Sequence, residues 1–397
     1  MRLIIFSIIC ISSFAVEAQT SLASKELPWS VRVADSEIIR SPKASMLDFA
    51  TEPKWNYTNG LVSSAMELVW KRTGDEKYYN YIKGYADEMI SADGSSIKTY
   101  KPEDFNIDKV NSGKFLIKLN EQNKNPRYEK AIRLLRDQMR THPRTTEGGF
   151  WHKKIYPHQM WLDGLYMGTA FLAQYAKAFN EPSTFDDVAL QLTLVDKHTY
   201  DPKLGLFFHA WDESKQQPWA NKEDGKSPHV WGRAMGWYAM ALVDVLDYFP
   251  KEHPKYSELL ALTNKMARAI TQYQDASSGV WYQVIDQSNR KGNYLEASAS
   301  CMFTYFLVKA SKNGYIDKGY LEKAKKGYEG ILKQFIRIDS NGSVNITQVC
   351  AVAGLGGTPY RDGSFDYYIN EQKRDNDPKA VGPFIMLAIE FETLKRN

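Results

Sequence analysis

Residues 229–249 read HVWGRAMGWYAMALVDVLDYF, and residues 294–313 read YLEASASCMFTYFLVKASKN. In both, apolar side chains return at i, i+3 and i+4, the spacing of one face of an α-helix. The same period predicts helices over Gly60–Arg72, Glu76–Ser91, Val110–Gln122, Arg127–Thr141, His158–Phe179 and Ser183–His198. It predicts further helices over His229–Phe249, Pro254–Tyr273, Tyr294–Asn313, Asp317–Phe335 and Lys379–Lys395, with one more near Val31–Ala50. Local signals agree. Ser183 with Asp186 resembles a capping box, Pro126 and Pro254 suit first-turn positions, and Asn313-Gly314 suits a helix end. The helices fall into pairs of about 50–60 residues, an array of helical hairpins. The period leaves open whether that array closes into a ring or runs on as a superhelix.

Longer connections fall near 142–157, 199–228, 274–293 and 337–378, and they carry the chemistry. Trp151-His152-Lys153, Phe208-His209-Ala210-Trp211-Asp212 and Trp281-Tyr282 lie on three of them. Aromatic, His and acidic residues gathered at helix starts suggest a cleft on one face of a scaffold.

Bulk composition bounds the function classes. The chain has 397 residues, 51 Lys+Arg and 47 Asp+Glu, for a formal net charge of +4. That balance excludes a counterion-releasing nucleic-acid footprint. The densest basic run, Lys323-Ala324-Lys325-Lys326, belongs to an amphipathic helix and reads as a solvated face. Ten Trp, 24 Tyr and 18 Phe are a marked aromatic excess, fit either for core packing or for covering sugar rings.

Met1-Arg2, the apolar run Leu3–Phe14 and Val16-Glu17-Ala18 form a secretory leader, with cleavage expected after Ala18. Residues 1–18 are thus a signal peptide, and 19–397 are expected to form a single domain, secreted or periplasmic. The leader is too short to stay as a membrane anchor. Cys301 and Cys350 then remain, too few for a disulfide framework and best read as packed thiols. No zinc spacing, phosphate loop, dinucleotide fingerprint or Gly-x-Ser-x-Gly elbow occurs, so neither metal nor cofactor is expected. Gly354-Leu355-Gly356-Gly357 reads as a tight turn.

Asp163 is the first catalytic candidate. It stands in Gln159-Met160-Trp161-Leu162-Asp163-Gly164-Leu165-Tyr166-Met167, among apolar and aromatic neighbours. Such surroundings favour the protonated carboxyl that a general acid needs, although Asp is also common in a helix first turn. Asp108 alone reads as a helix cap, but with Asp163 it would make the carboxyl pair of a glycoside-cleaving site. Trp231 and Trp237 offer flat faces for sugars, and Arg233 between them offers a bidentate fork for a carboxylate. The same residues would equally serve helix packing. Trp161, His152 and His209 lie beside these groups as candidate lining.

His152-Lys153, Tyr156-Pro157 and Gln159 through Met167 resemble a signature of the unsaturated rhamnogalacturonyl hydrolases, glycoside hydrolase family 105. Trp231-Gly232-Arg233 through Met240, Tyr294 through Ser300, Gly354 through Gly357 and Asp362-Gly363-Ser364 resemble further signatures in the same order. The likeness runs from about Trp55 to Phe391, and the related family 88 glucuronyl hydrolases share its logic. The resemblance implies an all-α fold, an (α/α)6 barrel of about six helical hairpins. It implies an acidic oligosaccharide substrate ending in a Δ4,5-unsaturated uronic acid, with a monomer or weak homodimer as the acting species. Asp163 would be general acid and base, and Asp108 the second carboxylate. Tyr57, His152, Trp161, His209, Trp231, Arg233 and Trp237 would bind substrate. Where many members have Gly-Asn, this chain has Ala234-Met235. An unsaturated glucuronyl hydrolase for glycosaminoglycan or ulvan fragments is the nearest alternative. An ordinary α-barrel glycosidase or lyase, or a glycan-binding barrel without catalysis, are further ones.

Overall fold

Two kinds of helix build the molecule, and their burial tells them apart. The computed structural model describes residues 27–394; the predicted leader, 1–18, lies outside the described residues. Among the described residues Gly232–Leu246 and Ala297–Lys312 are buried on nearly every side, as an enclosed helix must be. Pro126–Thr141 and Tyr256–Gln272 bury a single stripe and turn charged residues outward. Small residues let the enclosed helices approach closely. A side chain on Gly236 would come within 2.7 Å of Met302 Sδ on the neighbouring helix.

The enclosed helices are Tyr57–Thr73, Gly113–Gln122, the run ending in Ala170–Ala178, Gly232–Leu246, Ala297–Lys312 and Pro378–Leu394. Each packs on the next in that order, and the last packs on the first, so the array is a closed ring. Glu76–Met89, Pro126–Thr141, Thr184–Thr199, Tyr256–Gln272 and Tyr320–Gln334 each pack outside the inner helix that precedes them. The sixth outer helix is the first in the chain, Trp29–Arg40, which packs against the last, Pro378–Leu394. Twelve helices in six inner-outer pairs form the expected (α/α)6 barrel.

The expected boundaries shift by a few residues, and three of the expected start signals fail. Ser183 makes no side-chain cap; its backbone is already helical, and Thr184 bonds Glu181 instead. His158 does not begin a helix. Gln159–Trp161 pairs as a short strand with Ala210–Asp212, and the helical run starts at Leu162, through a π-type segment at Leu165–Thr169. Pro254 lies just before its helix, which opens at Tyr256. Pro126 and Asn313-Gly314 hold as first-turn and terminating residues. Cys301 and Cys350 are fully buried free thiols. Gly356 and Gly357 take left-handed backbone angles in a turn closed by Arg361.

One polar junction closes the ring. Ser30 N and Oγ donate to the Glu392 carboxylate at 3.0 and 2.8 Å, and Arg72 Nε lies 2.9 Å from it. Three helices from opposite ends of the chain thus meet at one side chain. Glu392→Ala removes bonds to a charged acceptor and is expected to cost about 1–3 kcal/mol. Thermal unfolding should show a lower midpoint, with the helical circular-dichroism spectrum unchanged below it.

Candidate active site

All six inner helices begin at the same end of the ring. Tyr57 is the first residue of its helix, and Asp108 sits in the 3-10 turn Ile107–Ser112 that leads into Gly113–Gln122. Asp163 and Arg233 are second residues of theirs, while Glu296 and Asp377 precede the last two. The N-terminal ends carry partial positive charge, so this mouth favours an anion.

The two carboxylates have different partners. Asp108 is not the cap of its turn; Asn106 is, accepting from the Asp108 N–H at 3.0 Å. That leaves the Asp108 carboxylate to Lys153 Nζ at 2.6 Å and His152 Nε2 at 3.6 Å. Burial alone would raise its pKa, but Lys153 and His152 outweigh burial and hold it below the usual carboxylate value. His152 is driven by burial down to about 4, against the pull of Asp108 and Asp163, so it is neutral near pH 7. Because it feels both carboxylates, His152 stands at the space they share.

Asp163 forms no ion pair with Lys or Arg among the described residues, and its Oδ2 faces His209 Nε2 at 3.2 Å. It makes no capping bond, so the first-turn reading does not account for it. His209 is fully buried, and its Nδ1 meets the Tyr368 hydroxyl at 2.8 Å. The strand pair that displaced the predicted helix start sets this contact. Trp161 pairs with Ala210, and Leu162 N–H donates to the His209 carbonyl at 3.1 Å.

Aromatic rings wall the space. Trp161 stacks on His152 at 4.5 Å and on Tyr156 at 4.9 Å. Trp231 lies 4.8 Å from His209 and 5.8 Å from Tyr368, ring centre to ring centre. Trp237 stacks on Tyr166 at 5.1 Å and meets the edge of Tyr57 at 6.2 Å. The three indoles are 5 % exposed or less, so they are walls rather than open platforms. Burial and Asp48 push the Tyr57 hydroxyl well above its ordinary pKa, with Arg233 opposing, so it stays a donor.

Arg233 is 1 % exposed. Its Nη1 donates to Ser298 Oγ at 3.2 Å and to the Cys350 carbonyl, and its guanidinium lies 4.5 Å from the Trp231 ring centre. Nε–H has no protein partner. Burial opposes the charge, yet Cys350, Glu296, Asp377 and Tyr57 raise the pKa above the ordinary value. Ala234 and Met235, which follow Arg233, have no exposed surface.

The structure therefore brings Tyr57, Asp108, His152, Trp161, Asp163, His209, Trp231, Arg233 and Trp237 to one end of the barrel. The sequence reading missed Lys153 and Tyr368, which position Asp108 and His209. Lys153 sat beside a chosen residue, and a buried carboxylate nearby was the signal for it. Tyr368 carried none, since 159 residues separate it from His209. With no side chain, Gly164 admits a close neighbour. That neighbour is His152, whose Nδ1 would lie 3.1 Å from a Cβ at 164.

Comparison with known proteins agrees with this fold. The Glycosyl Hydrolase Family 88 profile matches residues 29–395. The chain belongs to that family. The hydrolase is 45 % identical to a family 105 glycoside hydrolase structure from C. acetobutylicum ATCC 824, covering 92 % of this chain and 100 % of the other, with a TM-score of 0.89. It is 37 % identical over 236 residues, 58 % of its length, to all of Protein Atu3128 of Agrobacterium fabrum. It is 26 % identical over 272 residues to the unsaturated rhamnogalacturonyl hydrolase YesR of Bacillus subtilis, 67 % of this chain and 72 % of that one. The expected kinship of families 105 and 88 holds.

The Asp108–Lys153 pair gives the hydrolase a measurable pH signature. Lys153→Met removes the largest charge opposing burial, leaving only His152 and Lys109 against it, and raises the Asp108 pKa. The acidic limb of kcat/KM should then move to higher pH, and Lys153→Arg should return most of the shift. A profile of kcat/KM from pH 4 to 8 checks this.

Proposed function

We propose that this glycoside hydrolase releases a Δ4,5-unsaturated uronic acid from the non-reducing end of lyase-generated oligosaccharides. The relative YesR is named for unsaturated rhamnogalacturonyl substrates, and that aglycone is the leading reading here. In this reading the reaction is hydration of the vinyl ether, not attack at the anomeric carbon. The Asp163 carboxyl gives its proton to C4, and positive charge develops at C5 and the ring oxygen. A water then attacks C5 and returns a proton to Asp163. The C5 hemiketal opens by breaking its bond to the ring oxygen, leaving a ketone at C5. The hemiacetal now at C1 collapses to an aldehyde and releases the aglycone alcohol.

The observation that carries the proposal is the unequal pairing of two carboxylates at one mouth. Asp108 is held ionised by Lys153 and stabilises the developing cation. Asp163 has no such cation, and His209 orients it. The carboxyl left for proton transfer is the one with no ammonium committed to it. A uronic acid suits the rest of the mouth. Its carboxylate finds the helix N-termini and the unpartnered Nε–H of Arg233. The 222–226 segment gives little support to a sulfated glycan, because Lys222 turns its ammonium to the Lys215 and Gln217 carbonyls. The apolar leader supports action outside the cytoplasm, where lyase fragments of pectin-like polymers arise.

The C4=C5 bond absorbs near-ultraviolet light, and hydration removes that absorbance. Purified enzyme is incubated with lyase products of rhamnogalacturonan, glycosaminoglycan and ulvan. Absorbance should fall fastest with the rhamnogalacturonan product. Persistence with all three overturns the function. Asp163→Asn should lower kcat by roughly 10²–10⁴ while the barrel stays folded; hydration at the wild-type rate removes Asp163 from the mechanism.

A further inference from the structure

Below the active-site walls, toward the other end of the barrel, lies a buried lysine with no hydrogen-bond partner. Lys114, on Gly113–Gln122, is 6 % exposed, and its Nζ meets no hydrogen-bond acceptor among the described residues. It lies against a ring instead, with Nζ 3.3 Å from the centre of Tyr166. The same ring stacks on Trp237, with centres 5.1 Å apart at 28°. Trp237 in turn meets Tyr57. An ammonium, a phenol and an indole thus form a column from the barrel axis to the subsite wall.

The column is costly. The Tyr166 hydroxyl is also buried without a partner. Methionine would fill the place of Lys114 without desolvating a charge. Nor does the charge serve the polar cluster beyond it, since Lys309 already meets Asp244 at 2.7 Å and Asp247 at 2.6 Å. Places where a fold retains an unmatched buried charge are commonly functional.

We propose that Lys114 is a positioning residue for the hydrolase reaction, its ammonium fixing Tyr166 and so the Trp237 wall against which the uronic acid sits. The proposal rests on the function proposed above for this mouth. Burial lowers the Lys114 pKa to about 7 from an ordinary 10.5, with Asp244 opposing and Lys309 adding. Glu67, Lys118, Asp247, Tyr248 and Tyr305 are the other titratable groups lining the cavity beside it and Tyr166. Below about pH 7 the ammonium is present and the wall is held; above it the neutral amine loses the cation–π attraction. The sign on stability is opposite. Between about pH 7 and 10.5 the unfolded chain holds the proton more tightly, so the fold gains stability as pH rises through that window.

The test compares wild type, Lys114→Met and Lys114→Arg from pH 5.5 to 8.5, reading kcat, KM and near-ultraviolet circular dichroism. Wild-type KM should rise roughly 5–20-fold across the range with kcat little changed. Lys114→Met should hold the high KM throughout, and Lys114→Arg, charged at every pH, the low one. Lys114→Met should also unfold at a higher temperature than wild type at pH 6. The aromatic dichroism should show a step near pH 7 in wild type that both variants lack. A step that persists in Lys114→Met, or a KM that still follows pH in it, overturns the proposal. Should wild type leave every unsaturated substrate untouched while the step appears and vanishes as described, the proposed function fails and the Lys114–Tyr166–Trp237 coupling stands.

Discussion

The parallel setting of the six inner helices is the constraint on which the site depends. Five hairpins run inner helix first, outer helix second, and the sixth inner helix, Pro378–Leu394, pairs with Trp29–Arg40 from the start of the chain, so every inner N-terminus arrives at the same mouth. Unbonded N–H groups and the positive ends of six dipoles meet there, before any charged side chain is counted. The connections that bring the chain back to this end carry His152, His209 and Cys350. A near-neutral chain can therefore favour an anionic substrate. The global charge of +4 neither predicts nor opposes that local field.

Helix period and count were legible in the sequence because they are local. Apolar spacing marked nearly every helix, and the all-round burial of Ala297–Lys312 follows from its small and apolar residues. Closure of the ring was not local. It rests on Pro378–Leu394 packing against Tyr57–Thr73 from the other end of the chain, with Ser30 of the outer helix meeting Glu392 across 362 residues. The miss at His158 has the same cause. Gln159-Met160-Trp161 fits a helical pattern, but its partner strand lies about fifty residues on, and pairing overrode propensity. Among the site residues, chemistry-bearing types in odd settings were visible. Their supports, Tyr368 behind His209 and Ser298 beside Arg233, were visible only once the chain was folded.

Asn106 shows why type and position alone mislead. Asp108 has the composition and place of a helix cap, yet Asn106 takes that bond two residues earlier. The substitution of roles leaves a carboxylate buried at the mouth with no backbone duty. Such a group is stable only with a cation, and Lys153 supplies it. The cap and the ion pair are one arrangement, since a carboxylate tied to its own helix would face away from the cleft.

Glu296 extends that logic to the opposite wall. Its carboxylate is wholly buried and accepts from Ser298 Oγ, Ala299 N and Cys350 N. It thereby caps the Ala297–Lys312 helix and pins the Val349–Cys350 strand to it. Arg233 bonds the same Ser298 and the same Cys350 from the other side. Neither charge would be tolerable alone at this depth, and each is neutralised through groups the other has fixed. The guanidinium is consequently set to one position before any ligand arrives, with Nε–H left over. A flexible surface arginine would have to lose its side-chain freedom on binding a carboxylate. Here that freedom is lost on folding, so the guanidinium is already arranged.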